Sequence, residues 1–281
     1  METSGWDKTI SAKQKPIFSN LKMIWEYRDL VRLFVKRDII VYYKQTILGP
    51  LWYLAQPIFS TIIYLYIFGR VAGLGTGGIP QVLFYFSGTM LWTFFSGNLK
   101  AVSDVFIINK AMFGKVFFPR LVVPIASTVS LLIKLGIQLV LFLCIYVYYL
   151  LNGYPNMFSA NALLFPLSIC WLSILSLGMG MIISSVTTKY RDLSLMLDFI
   201  LQLAMYAAPI VYSFSGVTDP IRTVLLINPV SVPVELFRYS MFGTFTMPSF
   251  SVYVSFGMMV IIFVIGMILF SRNERNFVDV I

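Results

Sequence analysis

The sequence predicts an all-α integral membrane protein, and three observations predict it. Of its 281 residues, 58% are hydrophobic and 12% are charged, where a soluble domain carries about 25% charged residues. Apolar runs of roughly 20 residues, the length a helix needs to cross a bilayer, recur about six times. Basic residues gather in alternate connecting segments, as they do in a chain threaded through a membrane in a fixed sense. The expected architecture is six transmembrane helices, an N-terminal interfacial amphipathic helix, and short external re-entrant helices between helices five and six. Residues 1–50 form a cytoplasmic N-terminal region and residues 51–281 the transmembrane domain.

Residues 1–50 are the one long hydrophilic stretch and hold nine of the 21 basic residues. They show no apolar core followed by a small-residue cleavage site, so insertion is expected to use the first span rather than a signal peptide. Arg28 to Lys44 reads as an amphipathic helix. Leu30, Val31, Phe34, Val35, Val41 and Tyr42 fall on one side, and Arg28, Asp29, Arg32, Lys36, Arg37 and Lys44 on the other; Asp38 and Ile40 break the division. Such a helix lies in the interface plane with its basic face toward headgroups.

The spans are expected at Leu51–Gly69, Gln81–Leu99, within Leu121–Leu150, and at Leu163–Val186, Leu193–Phe214 and Phe250–Phe270. Pro50 and Pro57 sit at the entry to the first and are placed to kink it. Gly73, Gly75 and Gly78 have the G-x-G-x-x-G spacing, but they follow a membrane helix and not the strand of a βαβ unit, so they read as an external loop. Ser215–Ser249 is broken by Pro220, Pro229, Pro233, Gly243 and Pro248 and carries Asp219, Arg222, Glu235 and Arg238. Irregular backbone at membrane depth needs protein or water around it, which favours re-entrant or interfacial helices there. With the N-terminus inside, seventeen basic residues are cytoplasmic and three external. Both termini are therefore expected in the cytoplasm. The net charge of +9 reflects topology and contact with anionic lipid rather than nucleic-acid binding.

Several chemistries are excluded. The chain has no G-x-x-x-x-G-K-[ST] loop for nucleotide phosphates, no histidine and no Asp-x-Asp pair. No catalytic or metal-ligating residue is expected. Cys144 and Cys170 lie in apolar runs and read as small core residues, not a disulfide or metal pair. Lys134 and Asp198 are ionisable groups within spans, for which snorkelling or a local hydrogen bond is expected. Neutralising Asp198 should then cost assembly more than it changes cargo.

Aromatic residues make up 16% of the chain. Trp52, Phe59 and Tyr66 are spaced by seven in the first span, with Gln56 between the first two. Tyr85, Thr89, Trp92 and Ser96 form a similar stripe in the second. Seven-residue spacing puts side chains on one helix face. Two readings remain open: helix packing with interfacial anchoring, or a channel lined by rings whose apolar faces match those of sugars.

The stretch Arg37-Asp38, Tyr42-Tyr43-Lys44 and Leu48-Gly49-Pro50-Leu51-Trp52, with Pro57 after it, resembles the N-terminal pattern of ABC type-2 polysaccharide export permeases. Asn109-Lys110 with Phe118-Pro119-Arg120 and Pro124 resembles that family's segment between spans two and three. Tyr190-Arg191-Asp192 resembles its turn after span four, and Pro209-Ile210, Asn228-Pro229 and Phe237-Arg238 its external region. Glu274-Arg275 with Phe277 and Asp279 resembles its ending.

The resemblance implies a permease that exports lipid-linked polysaccharide, such as O-antigen, across the bacterial cytoplasmic membrane. A separate ATP-binding subunit would drive it, in an assembly of two permeases and two ATPases. ATP and Mg would be bound by that partner and no cofactor by this chain. Trp52, Phe59, Tyr66, Tyr85, Trp92 and Tyr206 are then expected channel residues. Arg28, Arg32, Lys36 and Arg37 would meet the lipid headgroup at entry. Asn109, Lys110, Lys115, Tyr190, Arg191 and Asp192 would couple to the ATPase. Teichoic acid, capsule, lipid and drug export remain alternatives, as do an ATP-independent channel or scramblase and, last, a membrane enzyme. Homodimer and heterodimer both stay open.

Overall fold

The computed structural model describes residues 25–44, 49–113, 118–154, 160–187, 190 and 192–276. These residues form helices and connecting turns, with no strand among them. An N-terminal helix, α1 (Arg28–Lys44), precedes α2 (Trp52–Tyr64), which continues as a π-helical stretch over Leu65–Val71. Next come α3 (Gln81–Ser103), the short turns α4 (Val105–Ile108) and α5 (Lys110–Phe113), α6 (Val122–Leu151) and α7 (Leu164–Thr187). The chain ends with α8 (Asp192–Ala204), α9 (Asp219–Ile227), α10 (Ser231–Phe242) and α11 (Ser249–Asn276).

Among the described residues four stretches, Trp52–Val71, Val122–Leu151, Leu164–Thr187 and Ser249–Asn273, are long and apolar enough to cross a membrane. At 23 residues, α3 is about 34 Å long, enough to span. It carries Gln81, Asn98 and Lys100, and most of it is buried by its neighbours, so protein rather than lipid surrounds it. The helices α9 and α10 meet at 94°, the bend of either a broken span or a re-entrant pair.

The fifth expected span, Leu193–Phe214, departs from expectation. Helix α8 has 13 residues, about 20 Å, and passes through a 3-10 turn, Met205–Ala207, into irregular chain. Pro209 is the cause: it disfavours helical backbone at the residue before it, and Ala208 is extended, with φ −119° and ψ 155°.

Helix α7 is the centre of the bundle, packed against α3, α10 and α11. Two glycines on it permit this. A Cβ on Gly178 would lie 2.8 Å from the Phe263 Cα of α11, and one on Gly180 would lie 3.0 Å from the Leu99 carbonyl oxygen of α3. Small residues at such crossings let backbones approach within a membrane. A buried polar contact ties the same three-helix region. Asn98 Nδ2 of α3 donates to Ser176 Oγ of α7 at 2.7 Å, and Thr128 Oγ1 of α6 donates to Asn98 Oδ1 at 3.0 Å.

Two side chains sit elsewhere than expected. Cys144 and Cys170 are free but exposed on the outside of the bundle, not in its core. The helices that carry them are apolar on lipid-facing and protein-facing sides alike, so apolar surroundings in sequence do not place a residue inside.

Candidate functional site

Both α2 and α8 carry an exposed apolar face. On α2, Trp52, Phe59, Ile63 and Tyr66 are exposed, with Gln56 on the same ridge. On α8, Leu195, Met196, Phe199, Ile200 and Leu203 are exposed, as is Tyr206 just beyond it. The two elements meet at their far ends, where Tyr64 Oη donates to Met205 Sδ at 3.3 Å and the Phe68 and Tyr206 rings lie 6.5 Å apart. Of the six expected channel residues, Trp52, Phe59, Tyr66 and Tyr206 lie on these faces. Tyr85 and Trp92 do not: they are buried in the core, because their stripe on α3 turns toward neighbouring helices. Thr89 in that stripe lies 3.3 Å from Thr61 of α2.

A buried arginine braces the broken chain after α8. Arg238 of α10 is 1% exposed and pairs with Glu235 at 3.1 Å. Its guanidinium also donates to the carbonyls of Pro209, Ile210 and Phe84 and lies 3.7 Å from the centroid of the Phe84 ring. Glu235 in turn accepts from Thr246 Oγ1 at 2.8 Å. The Ala208 carbonyl accepts from the Ile210 N–H at 2.7 Å, and the planar fork of the arginine supplies donors to the carbonyls of Pro209 and Ile210. Asn228 fixes the elbow between α9 and α10: it donates to the Ala207 carbonyl at 2.8 Å and accepts from the Val230 N–H at 3.0 Å. The sequence marks this region only as broken and charged. The signal that could have found the clamp is an arginine among apolar residues downstream of a helix-ending Pro209.

A polar stripe on α6 receives α1 and α2. Ser130 Oγ donates to Asp38 Oδ2 of α1 at 3.3 Å, and Arg37 pairs with the same Asp38 at 2.9 Å. One turn on, Lys134 Nζ lies 4.9 Å from the centroid of the Tyr53 ring of α2. One turn further, Gln138 Nε2 donates to the Tyr53 carbonyl at 2.9 Å. Pro57 has no N–H to reach back four residues, which leaves that carbonyl for Gln138. Asp38, an exception to the amphipathic pattern of α1, is therefore the residue that docks the helix on α6. The apolar side of α1 packs inward as well, with Phe34 and Val35 buried and Phe34 5.9 Å from Phe118. The four expected headgroup cations, Arg28, Arg32, Lys36 and Arg37, are all exposed, and Arg32 pairs with Asp29 at 3.0 Å.

Lys100 at the end of α3 reaches Asp198 of α8 at 3.0 Å, Asp104 at 3.5 Å and Ser194 Oγ at 3.0 Å. Asp198 is thus held by a partner on another helix, and its side chain is half-exposed. Exposed pairs contribute about 0–1 kcal/mol. Asp198→Asn is expected to lower the yield of detergent-extracted protein only modestly, as checked by fluorescence-detected size-exclusion of a tagged protein.

Of the expected coupling residues, Lys110, Tyr190 and Asp192 are exposed. Asn109 is buried and donates to the Val105 carbonyl at 3.0 Å, so it shapes the connecting turn. Lys115 and Arg191 lie outside the described residues. The segment carrying α4 and α5 is anchored by rings: Phe106 stacks on Phe270 of α11 at 4.8 Å and Phe113 lies 5.7 Å from Phe118. Among the described residues no group of three or more Cys, Asp or Glu side chains could hold a metal.

Apolar helices long enough to cross a membrane, a sharply bent helix pair beside a buried arginine and a basic helix docked along one face define a polytopic membrane protein. The family profile described as ABC-2 type transporter matches residues 29–242, and the chain belongs to that family. It is similar to the O-antigen export system permease protein RfbA of Klebsiella pneumoniae, 26% identical over 260 residues, covering 90% of this chain and 95% of that protein. A second similar protein is the O-antigen export system permease protein RfbA of Myxococcus xanthus, 26% identical over 216 residues, covering 75% of this chain and 79% of that protein.

Proposed function

We propose that this chain is the membrane-spanning subunit of an ATP-driven exporter of lipid-linked polysaccharide of the O-antigen type in the bacterial cytoplasmic membrane. The observation that carries the reading is the exposed aromatic face of α2 and α8, in a chain that is similar to O-antigen export permeases over most of its length. Two copies would set these faces against each other. Trp52, Phe59, Tyr66 and Tyr206 would then line a channel whose rings meet the apolar faces of sugars. Tyr85 and Trp92 support that wall from behind.

The basic bias of α1 and the segments around α5 and Tyr190 places them on the cytoplasmic side. The α9–α10 elbow would then be external, with α3 as a fifth pass and α8, about 20 Å long, making a sixth only together with the irregular chain that follows it. A separate ATP-binding subunit would dock against the exposed Lys110, Tyr190 and Asp192. Closure of two such subunits would shift the connecting segment, and through Phe106 and Phe270 the end of α11. ATP can drive the channel only through contacts that differ between its two states.

Phe59→Ala with Tyr66→Ala is expected to lower surface polysaccharide by about tenfold, measured by immunoblot of whole cells, while the ATPase still co-purifies. Unchanged surface glycan would remove the aromatic lining.

A further inference from the structure

Helix α1 does not seal against α6 along its whole length. Beside the contact made by Phe34 and Asp38, an open groove with a volume of about 370 Å³ runs between them. Its floor is the ridge Val31, Val35 and Ile39 of α1 together with Val129 of α6. Its outer wall is the next ridge of α1, Arg32, Lys36 and Ile40, each four residues apart. The groove is thus aliphatic throughout, lined in part by the stems of Arg32 and Lys36, whose charged ends are exposed. This explains the second exception to the amphipathic pattern: Ile40 stands among the basic residues because it lines the groove.

An aliphatic slot of this size has room for part of a chain-like apolar ligand. Free phosphate would leave the floor unused, and a neutral lipid would leave the cations unused. We infer that this groove holds one acyl chain of an anionic phospholipid of the surrounding membrane, with its phosphate at Lys36 and Arg32. The inference rests on the reading of α1 as an interfacial helix and not on the identity of the cargo. The groove shares no residue with the exposed face of α2 and α8. Asp29 competes for Arg32 at 3.0 Å, so Lys36 carries the larger part of headgroup recognition. The bound lipid would fill the gap between α1 and α6 and hold the helix against the bundle together with the Asp38–Ser130 contact.

The test is native mass spectrometry of the full-length protein, purified with whatever subunit accompanies it and titrated with phosphatidylglycerol or phosphatidylcholine of matched chains. One phosphatidylglycerol per chain is expected to survive desolvation in preference to phosphatidylcholine. In Arg32→Gln/Lys36→Gln that retention should fall between about fivefold and thirtyfold, the range for one to two basic residues at a membrane surface. Val129→Trp, which fills the groove from α6, should reduce retention without touching either charge. Equal retention of the two lipids, or unchanged phosphatidylglycerol retention in both variants, overturns the inference. So does a co-purified polyprenyl diphosphate that disappears in the same variants, since that would assign the groove to the cargo. A cell that exports no polysaccharide but whose protein retains phosphatidylglycerol contradicts the proposed function alone.

Discussion

Gly266→Ala is expected to reduce correctly folded protein by at least about tenfold. A Cβ at this position of α11 would lie 2.5 Å from the Gly178 carbonyl oxygen of α7. The obstacle is backbone in the middle of a packed helix pair, so no side-chain rotation relieves it. Overpacking of a well-filled interior typically costs about 1–3 kcal/mol, and a loss of 1.4 kcal/mol is already tenfold. Gly178→Ala should do similar damage from the other helix, where its Cβ would meet Phe263 Cα at 2.8 Å. The control is Gly257 on the same α11, which has nothing within 4 Å of a Cβ; Gly257→Ala should express normally. Fluorescence-detected size-exclusion of a tagged protein checks all three. Equal monodisperse peaks for the Gly266 and Gly257 variants would mean that α7 and α11 do not cross at this point.

The second large effect is expected at Arg238. Arg238→Leu removes the donor to three buried carbonyls and leaves Glu235 as a buried charge without its cation. Breaking one side of a buried pair costs about 3–5 kcal/mol, a large share of the roughly 5–15 kcal/mol that holds a typical domain. Lysine keeps the charge but not the fork, so Arg238→Lys should recover only part of the loss. Because Glu235 and Arg238 share one network, removing both with Glu235→Gln/Arg238→Leu should cost less than the sum of the single changes. Thermal denaturation of the purified variants in detergent gives the comparison. Single variants as stable as the parent would show that residues 208–210 are held by something other than this guanidinium.

The sequence made the apolar helices and their order legible because the length of an apolar run is set by the bilayer, independent of the neighbours. It also marked Ser215–Ser249 as broken and charged, without placing the elbow within it. The end of α8 was less legible. Leu193–Phe214 is apolar throughout, and only Pro209 tells the span from the shorter helix that forms. Seven-residue spacing identified one helix face but could not say whether that face met protein or stood open. The stripe of Trp52, Phe59 and Tyr66 is exposed, whereas Tyr85 and Trp92, similarly patterned, are buried. Contacts between distant positions carry no local signal at all. Tyr53 with Gln138, Asp38 with Ser130, and Lys100 with Asp198 join residues that are apart in sequence. The two breaks in the pattern of α1 were legible as breaks, but their meaning required α6 beside them.

A separate ATP-binding subunit is expected to work with this permease, and quantitative mass spectrometry of the protein purified gently from native membranes tests it. A co-purifying subunit with a phosphate-binding G-x-x-x-x-G-K-[ST] loop should be present at equal stoichiometry with this chain. Absence of any such subunit across several mild detergents, with surface polysaccharide still produced, would contradict it and leave an ATP-independent channel built on the same fold.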